Sequence, residues 1–143
     1  MSRSRAKSHP SLSARNGHAV ALCAALRAIG KTAYLLPNPG LTENTAPYFT
    51  PYSAPADFVP EKVVSTDIAT VGLFPDNAKS YADKVDLAID HHPSFEGFGK
   101  ANIVRPEAAA CGELILDIVR ELTPLTPEIA LPLYVAISTD TGS

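Results

Sequence analysis

The sequence predicts an α/β fold: a mostly parallel sheet with helices on both faces. Helix-like and strand-like segments take turns along the chain, as in βα units. The strand-like runs, such as Val85-Asp86-Leu87-Ala88-Ile89, are short and largely apolar, the pattern of strands buried on both faces. The residues with metal-competent side chains stand where those runs end, and the carboxyl ends of strands are where open α/β sheets bind ligands.

The elements follow in order. Ala19 to Ile29 is an apolar run that reads as a helix, with Gly30 placed to end it in the left-handed conformation only glycine adopts freely. Thr32 to Leu36 reads as a strand. Residues 37–60 carry Pro37, Pro39, Pro47, Pro51, Pro55 and Pro60, which predicts an irregular stretch with one short helix near Glu43 to Phe49. Lys62 to Thr66 is a β-branched run ending at Asp67. Asp76 to Lys84 reads as a helix that Asp76 caps, followed by the strand from Val85 into Asp90. From Cys111 to Leu122, apolar residues at 114, 115, 118, 119 and 122 have helical spacing. A last helix starts with Thr126 as N-cap and Pro127 in its first turn, and Pro132 inside it predicts a bend. The apolar run from Leu133 leads to Asp140.

Composition narrows the function. A chain of 143 residues with 45% hydrophobic content builds one core and one domain at most. A net charge of −3 leaves no basic stripe for long nucleic acid, and no run of 18 apolar residues is long enough to span a membrane. The polar N-terminus lacks the apolar core of a signal peptide, so the predicted location is cytoplasmic. Cys23 and Cys111 sit in apolar helical surroundings without metal-type spacing, which predicts two buried free thiols.

The chemistry concentrates in Asp90-His91-His92, three adjacent metal-competent side chains delivered to one point by a strand, with Asp67 and Asp140 after two further apolar runs. Carboxylate oxygens with imidazole suit a hard divalent cation such as Mn²⁺, or Mg²⁺ where oxygens dominate. In this order, Val64-Ser65-Thr66-Asp67-Ile68-Ala69, Asp90-His91-His92 and Ile137-Ser138-Thr139-Asp140-Thr141-Gly142 resemble the second, third and fourth motifs of the DHH phosphoesterase superfamily, which includes RecJ-like nucleases. The segment Asn102 to Leu114 looks like the connector of its nanoRNase/pAp-phosphatase branch. The resemblance implies two Mn²⁺ ions that activate water for hydrolysis of a phosphate ester in a small nucleotide or short oligonucleotide. It assigns Asp67 as the bridge between the ions, His91 and Asp140 as ligands of the second ion, His92 as the group that meets the phosphate, and Asp90 as the acceptor that orients an imidazole or the water.

The first motif departs from the family pattern. His9 is in place as a ligand, but Ser13 and Arg15 stand where two carboxylates belong, and an arginine repels a cation. Divergence and a misassigned reading frame both account for this. The expectation is a weak or single-ion site and an impaired phosphoesterase; the alternative is a non-catalytic relative that binds a nucleotide or phosphate, with Arg15 able to hold the phosphate itself. Residues 1–143 are expected to form a partial catalytic domain, with the family's DHH-associated second domain absent. His18, at the start of the first helix, is expected to face solvent rather than replace a ligand.

Overall fold

The computed structural model describes residues 17–37, 43 and 46–140, with the side chains of 138–140 outside that description. Its sheet has three strands, β1 (Val64–Thr66), β2 (Leu87–Asp90) and β3 (Ala101–Val104), in that spatial order and parallel throughout. Helices α1 (residues 17–28), α2 (Ala46–Phe49), α3 (Cys111–Leu122) and α4 (Pro127–Asp140) complete the α/β architecture.

Strand β2 is central, and its pleat divides the core. Ile89 and Leu87 join the larger cluster, with Ala21, Leu22 and Ala25 of α1, Leu114, Ile115 and Val119 of α3, and Ile129 and Leu133 of α4. Ala88 points the other way, into a smaller cluster with Phe74, Ala78 and Val85, edged by Phe95 and Phe98. Both faces of the sheet are therefore covered. The second face is closed by 3₁₀ turns and an aromatic loop rather than by long helices.

The helix ends follow their local chemistry. Gly30 has φ +89°, with Gly30 N–H donating to Arg27 and Lys31 N–H to Leu26, the paired bonds of a Schellman cap. Helix α3 starts after Ala110, which offers no side-chain cap; Glu113 in its first turn instead accepts from the backbone N–H of Ala109. The Thr126 carbonyl accepts from Ile129 and Ala130, so Pro127 takes the first helical position, as predicted. The helix runs on through Pro132 to Asp140.

Three expectations are corrected. Thr32 to Leu36 forms no strand; it makes a single parallel bridge, Leu35 to Ser53. Pro37, Pro51 and Pro55 on either side withhold the N–H groups a longer ladder needs. The segment is held instead by Arg27, which donates to the carbonyls of Ala33 and Pro51 and stacks over Tyr34 and Tyr52. The stretch after Asp76 is a 3₁₀ helix, Asp76–Tyr81, with Pro75 at the cap position and no capping bond from Asp76. Finally, Ala101–Val104, part of it read as connector, is the edge strand β3; all four residues are exposed, so burial leaves no pattern in the sequence.

Candidate metal centre

The site forms at the carboxyl ends of β1 and β2. Pairing in register aligns Thr66 with Ile89, and the Asp67 N–H donates to the Ile89 carbonyl at 2.9 Å. Asp67 and His91 each stand one residue past their strand, and Asp90 is the last residue of β2. Asp67 turns in the left-handed region, φ +60°, a conformation aspartate tolerates better than most residues. The strand and turn thus fix where its carboxylate goes.

Asp67, Asp90, His91 and His92 each bring a ligand atom to one place, all within 4.8 Å of one another. Asp67 Oδ1 lies 3.3 Å from His91 Nε2 and 3.8 Å from His92 Nδ1. The Nδ1 of His91 meets the Ala108 carbonyl at 3.1 Å, which makes it the protonated nitrogen and leaves the Nε2 lone pair aimed at Asp67. His92 donates from Nδ1 to Oδ1 of the fully buried Asp90 at 2.8 Å. The two imidazoles are tilted against each other with centroids 4.5 Å apart, and His92, at 41% side-chain exposure, is the more open.

The electrostatics favour an anion at Asp67. Burial pushes its carboxyl up, but His18, His91 and His92 around it outweigh that and hold it below its ordinary value. Asp67 Oδ1 and Asp90 Oδ2 are nevertheless buried without a hydrogen-bond partner among the described residues. Oxygens in that condition need a counter-group. A divalent cation is one that carboxylate and imidazole donors fit.

His18 departs from the solvent-facing position its sequence predicts. It is completely buried, not solvent-facing, with Nε2 3.5 Å from Asp67 Oδ2. Its phase gave a signal: 18, 21, 22 and 25 have the i, i+3, i+4, i+7 spacing of one helix face, and all four are buried. Just before His18, Gly17 lets α1 lie close against α4, since a Cβ there would be 2.4 Å from the Pro132 carbonyl. Of the other predicted ligands, His9 lies outside the described residues with Ser13 and Arg15, while Asp140 closes α4 with its side chain outside the description. Cys23 and Cys111 are both buried, as predicted. An open depression lined by Tyr81, Lys84, Asp86 and Lys100 lies where the strands begin, at the opposite end of the sheet from this site.

No family model matches the chain. It is 31% identical over 129 residues to the bifunctional oligoribonuclease and PAP phosphatase NrnA of Thermus thermophilus. The aligned region takes in 89% of this chain and 39% of that protein, so the chain spans about two-fifths of that relative's length. The similarity agrees with the branch that the motifs resemble. Among the described residues, no helix is long and apolar enough to cross a membrane.

Proposed function

We propose that this chain is part of the catalytic domain of a DHH-type phosphoesterase and that it acts, with a divalent cation, on small nucleotides or short oligoribonucleotides. The observation that carries the reading is the convergence of Asp67, Asp90, His91 and His92 within 4.8 Å at the carboxyl ends of two parallel strands. The similarity to an oligoribonuclease and PAP phosphatase supplies the substrate class.

In this reading Asp67 and His91 hold the ion with Asp140, and a first ion would keep only His9 and Asp67; Mn²⁺ suits the mixed oxygen and imidazole donors better than Mg²⁺. When bound, a divalent ion polarises a phosphoryl oxygen and acidifies water. The chain's own residues do the positioning. Ala108 fixes the ring of His91 through Nδ1, so Nε2 stays available as a ligand. Asp90 fixes His92 in the same way and offsets positive charge on its ring, which leaves the half-open imidazole to donate from Nε2 to a phosphate oxygen.

Ser13 and Arg15 in place of two carboxylates favour slow turnover by this chain, or binding without hydrolysis. Calorimetric titration with Mn²⁺, followed by hydrolysis assays on 3′,5′-bisphosphorylated adenosine and a short oligoribonucleotide, tests the reading. The expected result is Mn²⁺ binding that Asp67→Ala abolishes, with turnover well below about 1 per second. Unchanged Mn²⁺ affinity in a folded Asp67→Ala variant would overturn it. Nucleotide binding with no metal-dependent hydrolysis at all would establish the non-catalytic relative instead.

A further inference from the structure

Behind Asp67 lie two metal-competent side chains that the proposed reaction does not use, His18 and Cys111. His18, Asp67 and Cys111 are all buried, and one ligand atom from each lies within 4.8 Å of the other two. Asp67 divides its carboxylate between the two groups: Oδ1 faces His91 and His92, and Oδ2 faces His18.

The state of His18 points to a ligand. Its ring is fully excluded from solvent, yet neither Nδ1 nor Nε2 has a hydrogen-bond partner among the described residues. A buried imidazole is ordinarily satisfied on at least one side, and a group left bare in this way marks a place for a water or an ion. The 3.5 Å from Nε2 to Asp67 Oδ2 suits an ion. Two ligands on one tetrahedral cation, with bonds of about 2.0–2.3 Å, stand roughly 3.3–3.7 Å apart.

Cys111 decides which ion. It is the first residue of α3 and is fully buried. Its Sγ makes a long contact of 3.7 Å with the Ile89 carbonyl. Metal binding would release the thiol proton to solvent. One carboxylate and one thiolate then neutralise a dication, so no net charge is buried. Thiolate is a soft ligand that Mn²⁺ and Mg²⁺ avoid, whereas thiolate, imidazole and carboxylate are the three donor types of zinc sites.

We propose that His18, Asp67 Oδ2 and Cys111 Sγ form a zinc-type site that shares Asp67 with the Mn²⁺ centre. The inference depends on the proposed function only through that shared carboxylate.

Co²⁺, a coloured substitute for Zn²⁺, tests it in the full chain after chelator treatment. The expected result is a near-ultraviolet thiolate-to-cobalt charge-transfer band that saturates at one equivalent. Zn²⁺ should displace it, and equal Mn²⁺ or Mg²⁺ should not. Cys111→Ser should remove the band while Cys23→Ser keeps it, and His18→Asn should weaken Zn²⁺ binding at least tenfold with an unchanged circular dichroism spectrum. A wild-type chain with no such band, or a band that survives Cys111→Ser, overturns the proposal; the wild-type spectrum decides even if a variant misfolds. His91→Asn separates the two centres, since it should weaken Mn²⁺ binding and leave the cobalt band in place. Mn²⁺ binding without the band sinks only the zinc-type site, and the band without Mn²⁺ binding sinks only the proposed function.

Discussion

At the scale of single residues, Asp67 joins a special backbone to a special environment. Its φ of +60° costs an alanine more than a glycine. Asp67→Gly and Asp67→Ala both delete the carboxylate, so their difference isolates the backbone. Thermal or urea melts should show the glycine variant to be the more stable by about 1 kcal/mol. Equal stabilities would mean that residue 67 does not hold the left-handed turn. The first motif gives a second residue-level test. Replacing Ser13 and Arg15 together by aspartate removes a fixed positive charge and adds two hard ligands, and calorimetry should show tighter Mn²⁺ binding. Unchanged affinity in the folded double variant would separate these positions from the metal centre.

At the scale of elements, α4 has two faces of similar composition and different consequence. Ile129, Leu133 and Ala136 are buried, whereas Leu131 and Tyr134 are 61% and 70% exposed. Ile129→Ala should cost about 2–5 kcal/mol in urea melts and Tyr134→Lys less than about 0.5 kcal/mol. A second test concerns the strand starts. Asp86 accepts from the Val63 N–H at 2.8 Å and from Lys100 at 3.2 Å, joining the approaches to all three strands. The Val63 bond foremost, helped by Lys100 against the cost of burial, holds its carboxyl below the ordinary value. The folded state therefore gains stability above the unfolded value near pH 3.9 and loses it as pH falls through the lower folded value. Between about pH 6 and pH 3, Asp86→Asn should lose less stability than the wild type.

These elements also show what the sequence could carry. The runs ending at Asp67 and Asp90, and helix α3, were legible because burial imprints apolar residues at the strand or helix period. Strand β3 was not, since an exposed edge carries no such imprint. The 3₁₀ turn after Asp76 differs from the capped helix its sequence predicts; there the Asn77 side chain donates to the distant Pro37 carbonyl, a tertiary contact with no local signal. The cluster at 90–92 could be read from adjacency alone. His18 lies 49 positions before its partner Asp67, and only its phase on α1 hinted that it turned inward.

Over the whole molecule, the site is where separate parts of the chain meet. Helix α1 supplies His18, the ends of β1 and β2 supply Asp67, Asp90 and His91, and α3 supplies Cys111, so a zinc-type ion should tie the sheet to two helices while Mn²⁺ on Asp67 and His91 joins the ends of two strands. Free Mn²⁺ at 100 times its dissociation constant should stabilise the fold by about 2.7 kcal/mol, and chelator should reverse the shift. For a chain of this size that is a rise of several degrees in Tm. A Tm insensitive to both would place the ion outside the folded framework.

The left-handed turn at Asp67 has a consequence for the history of such a gene. Aspartate and glycine codons differ by one base, and glycine is the residue to which that backbone is least hostile. Loss of the carboxylate by this single step leaves the turn relaxed, while most other replacements leave it strained. In a mutant library selected only for folding, with no demand for metal or catalysis, position 67 should drift toward glycine and asparagine.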